Sequence, residues 1–283
     1  MSIVPNQFPT IADPHRRLAI IGEAPGENED KLGLPFVGAS GQLLTDLLSR
    51  NNILRNACFI GNVCQVRPLG NDIFCLDWYG DEIQNGIKQL EQDLARFEPT
   101  MCLLLGSSAL RAFIGHADSI TKWRGSLFIA GPSSPRPGVK CLASYHPAAI
   151  FRNYEWRPIL HFDIARTAQE SCSPGLVLPD RVFHTNLSPA AIIERLDQIS
   201  LTKPTIALDI EGGVNSLSCI SIATAPTEAF IIPFTRANGS HFTEEDELQV
   251  WTALSKVLRD PDIPKVLQNS LYDNFVLSYS YQT

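Results

Sequence analysis

This 283-residue chain is short of several things, and each shortage excludes a class of protein. Its seven cysteines (58, 64, 75, 102, 141, 172 and 219) are odd in number and never spaced C-x-x-C, which argues against a disulfide scaffold and a zinc knuckle. Several lie in apolar runs such as Met101-Cys102-Leu103 and read as small buried hydrophobes. No apolar run approaches the ~20 residues of a membrane span. The opening MSIVPNQFPTIADPHRR has neither the basic start nor the apolar centre of a signal peptide, so a cytoplasmic location is expected. Positive charge is not in excess: 23 Lys and Arg against 30 Asp and Glu leave a net charge of −7, unlike a protein that coats nucleic acid. The deficit is uneven. Residues 1–172 hold 16 basic and 17 acidic side chains, whereas 173–283 hold 7 and 13. A near-neutral part can still hold a basic groove, and an acidic part that handles nucleic acid is expected to do so through metal ions.

Short apolar runs separated by helical periods are present instead. Strands are expected at Arg17–Ile21, near Ala57–Val66 and at Thr100–Leu105, with helices at Gly41–Arg50, Asp81–Phe97 and Ser107–Ile114. A hairpin-like pair (Trp123–Ala130, Lys140–Ser144) precedes a last helix at Trp156–Glu170. This alternation predicts a parallel sheet covered on both faces. Residues 1–16 read as a flexible lead-in, 17–172 as the first domain, 173–180 as a Ser/Pro/Gly linker and 181–283 as the second domain.

The stretch GEAPGENEDKLGLPFVGASGQLL (22–44) follows the first apolar run, at the carboxyl edge of a sheet, where open α/β folds bind ligands. It lacks G-x-G-x-x-G and G-K-[ST] and is too acidic to cradle phosphate. With GNVCQVRP (61–68) and SYHPAAIFR (144–152), it resembles the family 4 branch of the uracil-DNA glycosylase superfamily over roughly residues 17–170. LGSSALRAFIG (105–115) and WRG (123–125) also resemble that branch. The resemblance implies a three-layer α/β/α fold with a parallel central sheet, and removal of uracil from single- or double-stranded DNA by base flipping.

Such an enzyme needs an aromatic floor and polar readers for the extruded base. Phe36 is expected as the floor, beside Gly22. Asn62 can accept from N3–H and donate to O4 of uracil, an edge that cytosine reverses. His146 is expected to hydrogen-bond the charge developing on O2, and Glu23 to orient or deprotonate the attacking water. Glu29 is a second candidate for that carboxylate, and a solvated loop acid is the alternative for it. In the best-known branch of the superfamily an aspartate stands where this chain has Ala24. Pro147, Ile150, Phe151 and Arg152 are expected to contact DNA, with Ile150 and Phe151 as wedges, unless one of them packs inward, and Arg152 on a phosphate. Gly26 stands where a bulkier residue could exclude thymine's methyl, which leaves broader base specificity open. A non-catalytic reader of uracil in DNA is a further alternative.

Family 4 enzymes usually carry a four-iron, four-sulfur cluster on four cysteines. Here residues 1–22 hold no cysteine, Val66-Arg67-Pro68 occupies the third position and Glu82–Gly86 the fourth. No cluster is expected, and Phe74, Trp78 and Tyr79 are expected to anchor the loop after Asn62 instead.

In the second domain, TIALDIEG (205–212) reads as a buried strand ending in Asp209-x-Glu211, two carboxylates on one side. VLQNSLYDNFVL (266–277) places Asn269 and Asp273 four apart at the start of a helix. The pair of motifs resembles DnaQ-like 3′–5′ exonucleases of the type found in family A DNA polymerases, which have an RNase H-like α/β fold. The resemblance implies Mg²⁺ or Mn²⁺ held by Asp209, Glu211 and Asp273. Its third motif would lie further on, so the domain is expected to be truncated, with a polymerase as the partner domain of a full-length chain. The expected setting is a bacterial or phage-infected cell.

Overall fold

The computed structural model describes residues 2–214 and 216–282. The chain divides into two units, Met1–Val177 and Leu178–Thr283. Among the described residues no helix is long and apolar enough to cross a membrane.

In the first unit the apolar runs become strands because each is buried on both faces: β1 (Leu18–Gly22), β2 (Phe59–Asn62), β3 (Met101–Leu105) and β5 (Lys140–Ser144). They run parallel, and β4 (Leu127–Ile129) pairs antiparallel to β5, giving the order β2-β1-β3-β5-β4. Between them lie α1 (Glu27–Leu32), α2 (Ala39–Arg50), α3 (Asp81–Phe97), α4 (Ser107–Ile114) and α5 (Ile120–Trp123). Two more helices, α6 (Pro147–Ile150) and α7 (Arg157–Glu170), close the unit. Alternate strand residues feed two cores. Ala19, Ile21, Phe59 and Leu104 meet Leu90 and Leu94 of α3 and Phe113 of α4. On the other face, Leu18, Ile20, Ile60 and Leu103 meet Leu44 and Leu48 of α2 and Leu160 and Ile164 of α7. The result is helix, sheet, helix. The chain leaves β1 towards β2 on one side and reaches β3 on the other, so the carboxyl end of β1 is a topological switch point.

Two expectations change. Residues 3–8 are no free lead-in: Val4 is buried and Ile3 and Gln7 bridge to Val66 and Ile60. The second strand is only four residues long, because after Asn62 the chain turns to follow the loop of β1, where Val63 N–H donates to Gly22 O and Cys64 N–H to Glu23 O.

The second unit contains β6 (Val182–His184), α8 (Pro189–Thr202), β7 (Ile206–Gly213), β8 (Ser216–Ala225), β9 (Glu228–Pro233), the small hairpin β10 (Thr235–Arg236) and β11 (Gly239–Ser240), α9 (Glu244–Arg259), β12 (Lys265–Val266) and α10 (Ser270–Ser280). Ser188 and Thr243 cap α8 and α9 through their hydroxyl oxygens. The sheet order is β12-β7-β8-β9-β6; β8 runs antiparallel to both β7 and β9, β12 runs parallel to β7, and β6 runs parallel to β9. β7 is half-buried rather than buried. Ile206, Leu208 and Ile210 enter the core while Asp209 and Glu211 share the exposed face, the period-2 alternation of a sheet with one covered side.

Candidate active site

Four loops leave the carboxyl ends of β1, β2, β3 and β5 and converge on one cleft of about 700 Å³. Glu23, Phe36, Asn62, Gly106, Tyr145 and His146 all line it.

Phe36 is held in an unusual conformation. Its φ is +53°, in the left-handed region that side-chain-bearing residues seldom adopt. Three contacts impose it. Glu29 Oε1 accepts the N–H groups of Val37 (2.9 Å) and Gly38 (2.7 Å), and Arg55 Nη2 donates to Pro35 O (2.8 Å). The third is Gly41, where a Cβ would lie 1.8 Å from Phe36 O, so α2 starts directly against the Phe36 carbonyl. The ring is 5 % exposed and covers Gly22 together with the Asn62 side chain. A Cβ on Gly22 would lie 2.4 Å from Phe36 Cζ and 2.6 Å from Asn62 Oδ1, so the bare glycine lets shelf and amide meet. Gly22 and Asn62 are register partners at the ends of β1 and β2.

His146 caps α6, its Nδ1 accepting the Ala148 N–H (3.2 Å). That bond assigns the ring proton to Nε2. Its ring centre lies 5.6 Å from that of Phe36. Burial, with a further push from Arg152 and against the pull of Glu29, lowers its pKa to about 4, so the imidazole is neutral at pH 7. Behind it Tyr145 stacks on Trp156, ring centres 4.3 Å apart.

Glu23 Oε2 accepts the Ser108 hydroxyl (2.7 Å) from the first turn of α4. Burial raises the Glu23 carboxyl above its ordinary value; the Ser108 bond and Arg152 oppose this, and Asp72 adds to it. A carboxylate so placed is a better proton acceptor than one in water. Glu29 lines the cleft as well, but it is not a solvated loop acid. It is buried beneath the Phe36 loop, and a Cβ at Gly26 would lie 2.8 Å from its Oε2, so Gly26 leaves room for this carboxylate. Glu29→Ala is expected to cost about 2–4 kcal/mol in urea unfolding, since two backbone donors lose a charged acceptor.

The expected DNA contacts divide. Ile150 is 1 % exposed and packs in the core with α2 and α7, and Pro147 is buried as the first residue of α6. A four-residue helix turns one of two adjacent apolar residues inward, and here it is Ile150. Phe151 and Arg152 remain exposed on the rim of the cleft, as does Phe74.

The loop after Asn62 is anchored differently from the expectation. Phe74 and Tyr79 point to solvent; Ile73 is buried, and Trp78 packs inward with Arg111 4.1 Å above its ring. The places of the cluster ligands do not fit an iron–sulfur cluster. Val66 pairs with Ile3, and a Cβ at Gly86 would lie 2.3 Å from Val63 O, so α3 packs straight on the backbone there. Cys64 is buried with its thiol bonded to Val66 O (3.3 Å) and its pKa raised by burial, the opposite of what a thiolate ligand needs.

In the second unit Asp273 is buried and its carboxyl is raised by burial and then by nearby Asp209. Asn269 is the left-handed residue before α10 rather than a helical one. Among the described residues no three acidic, histidine or cysteine side chains form a group able to hold a metal ion, so the expected set of Asp209, Glu211 and Asp273 is not assembled. Asp209 and Glu211 are both exposed on the open face of β7.

Sequence reasoning missed Ser108, Tyr145 and Trp156. Ser108 carried a signal, a second hydroxyl in the first turn of a helix after a glycine; the stacked pair carried none.

A family model for the uracil DNA glycosylase superfamily matches residues 8–167. The chain is 37% identical to the type-4 uracil-DNA glycosylase of Thermotoga maritima over 153 residues, 53% of this chain and 75% of the relative. It is 32% identical to that of Sulfurisphaera tokodaii over 174 residues, 60% and 76% of the two chains. The type-4 enzyme of Pyrobaculum aerophilum is 35% identical over 153 residues, 52% and 74%. An aromatic shelf, a buried carboxamide and a neutral imidazole at the carboxyl edge of this sheet, together with these similarities, establish that the chain belongs to the uracil DNA glycosylase superfamily.

Proposed function

We propose that the first unit removes uracil from DNA by extruding the base and hydrolysing its N-glycosidic bond. The observation that carries this reading is the convergence of Phe36, Asn62 and His146 on one cleft beside Glu23. The relatives named type-4 uracil-DNA glycosylases support it. The flipped ring stacks on Phe36 and presents its N3–H and O4 edge to the Asn62 amide. As the bond to the sugar stretches, negative charge gathers on the base and His146 Nε2–H donates to O2. A neutral donor stabilises that anion without competing for a proton. Glu23 orients water toward the sugar and takes its proton. Phe151 fills the vacated stack, and Arg152 holds a phosphate.

The 283-residue protein should release free uracil from single- and double-stranded DNA under single turnover, with EDTA present. Binding to uracil-containing DNA without an abasic product would instead favour a non-catalytic reader. Hypoxanthine and thymine-mismatch duplexes measure base range. Release should rise with pH as Glu23 ionises, with the acid limb shifted upward from the ordinary glutamate value because burial raises this group. His146, at about 4, stays neutral through that rise. A pH–rate profile flat down to pH 4.5 would remove Glu23 from the role of base.

A second reading concerns the second unit. We infer a relationship to polymerase-type 3′–5′ exonucleases, supported by three antiparallel strands with β12 parallel to the first, and by Asp209 beside Asp273. Two carboxylates, with waters and substrate phosphates completing the shell, are a donor set that suits Mg²⁺. Manganese-dependent loss of 3′ nucleotides from single-stranded DNA, abolished by Asp209→Ala, is the measurement that decides whether the unit retains activity. Its polymerase partner belongs to the same reading.

A further inference from the structure

β2 is the outermost strand on its side of the sheet, and residues 3–8 cover its free edge. Gln7 N–H donates to Ile60 O (2.8 Å), and Ile60 N–H donates back to Gln7 O (2.9 Å). Val4 N–H donates to Gln65 O (2.8 Å), and Ile3 bridges Val66. Apolar contacts fix both ends: Val4 is buried, and Phe8 meets Phe59 edge-on with ring centres 5.3 Å apart.

Between these pairings Asn6 bridges two elements of the site. Its Oδ1 accepts the backbone N–H of Asn62 (3.3 Å), and its Nδ2 donates to Asp93 Oδ2 on α3 (2.8 Å). Gly61 makes room for it, since a Cβ there would lie 2.4 Å from Asn6 Oδ1. The glycine before Asn62 therefore has a steric reason, and the Asn62 backbone is tied through one carboxamide to α3. Without Asn6, a donor beside a buried side chain loses its protein partner.

We propose that Asn6 is a positioning residue for base recognition: residues 3–8 form a strap that fixes the Asn62 backbone, and so aims its carboxamide at the extruded base. This rests on the reading of Asn62 as the base reader. The strap needs neither metal nor thiol, and it reaches the loop in which only Trp78 of the three expected aromatic anchors packs inward, Phe74 and Tyr79 pointing to solvent.

The test is Asn6→Ala in the 283-residue chain, with the double variant Asn6→Asp/Asp93→Asn as rescue. The double variant keeps an acceptor for the Asn62 N–H and reverses the carboxamide–carboxylate pair with α3. Three quantities are read: exchange of the Asn62 amide hydrogen, inhibition by free uracil, and affinity for an abasic-site duplex. In Asn6→Ala the amide should exchange about fivefold faster, the size expected of one lost hydrogen bond. The inhibition constant for free uracil should rise at least ~5-fold, while abasic-duplex affinity stays within about twofold. The double variant should recover both changes. A merely structural role would weaken uracil and abasic DNA together; that result, or an unchanged Asn62 amide, overturns the proposal. Failure of the unaltered protein to bind free uracil would sink the base-reading function itself, and the amide exchange would then still decide whether the strap holds Asn62.

Discussion

His146→Ala should lower single-turnover uracil release by about 100- to 1,000-fold, the range seen when a donor aimed at developing oxyanion charge is removed. The argument rests on the tautomer. Nδ1 is occupied as acceptor for the Ala148 N–H, which leaves Nε2–H as the ring's donor on a residue lining the cleft. Burial keeps the ring neutral, so Nδ1 stays the acceptor of the cap and Nε2–H the donor across the working pH range. Alanine also removes a helix cap, which costs about 1 kcal/mol on its own and could be mistaken for the catalytic effect. His146→Asn separates the two. Its Oδ1 stands where Nδ1 was and can cap α6, but nothing replaces Nε2–H. Thermal unfolding should therefore recover in His146→Asn while release stays as low as in His146→Ala. A rate for His146→Asn within tenfold of the unaltered protein would assign His146 to capping and move the charge-stabilising role elsewhere.

Much of the site was legible because its parts are local. The apolar runs at 18–22 and 101–105 are strands because they are continuous and short, and the periodicity of Asp81–Phe97 is that of one long amphipathic helix. Glycines 22 and 41 could be read as close approaches, although what approaches them, the ring and the carbonyl of Phe36, could not. What escaped depends on distant partners. Residues 3–8 contain Pro5 and carry no period, and they are ordered only because the β2 edge needs hydrogen bonds. Glu29 looks like any loop acid until the chain folds two amide groups onto it. Ile150 and Phe151 are adjacent and both apolar, and only the docking of α6 on α2 decides which is buried. In the second unit the alternation of Ile206, Leu208 and Ile210 with Asp209 and Glu211 was present in the letters, and it marks a sheet with one open face.

Gly22→Ala should be as damaging as the loss of His146, although it removes no functional group. The added methyl would sit 2.4 Å from Phe36 Cζ and 2.6 Å from Asn62 Oδ1, where carbon contacts settle near 3.5–4.0 Å. One of the two must move by more than ~1 Å. Phe36 has little freedom to do so, because Glu29, Arg55 and Gly41 fix its backbone on three sides. Asn62 is buried and tied to Asn6, so its side chain must rotate or the strand ends must part. Either response spoils the stacking shelf or the amide that reads the base, and recognition should fall by at least ~100-fold in uracil release, two contacts of about 1–3 kcal/mol each being compromised. The strand itself should survive. Overpacking typically costs about 1–3 kcal/mol, and Leu18–Ile21 keep their places in both cores. The expected pattern is thus a folded protein that still binds an abasic duplex yet neither binds free uracil nor releases it from DNA. Release within tenfold of the unaltered protein would mean that Phe36 and Asn62 can part without loss, and the base would then have to be read by other groups.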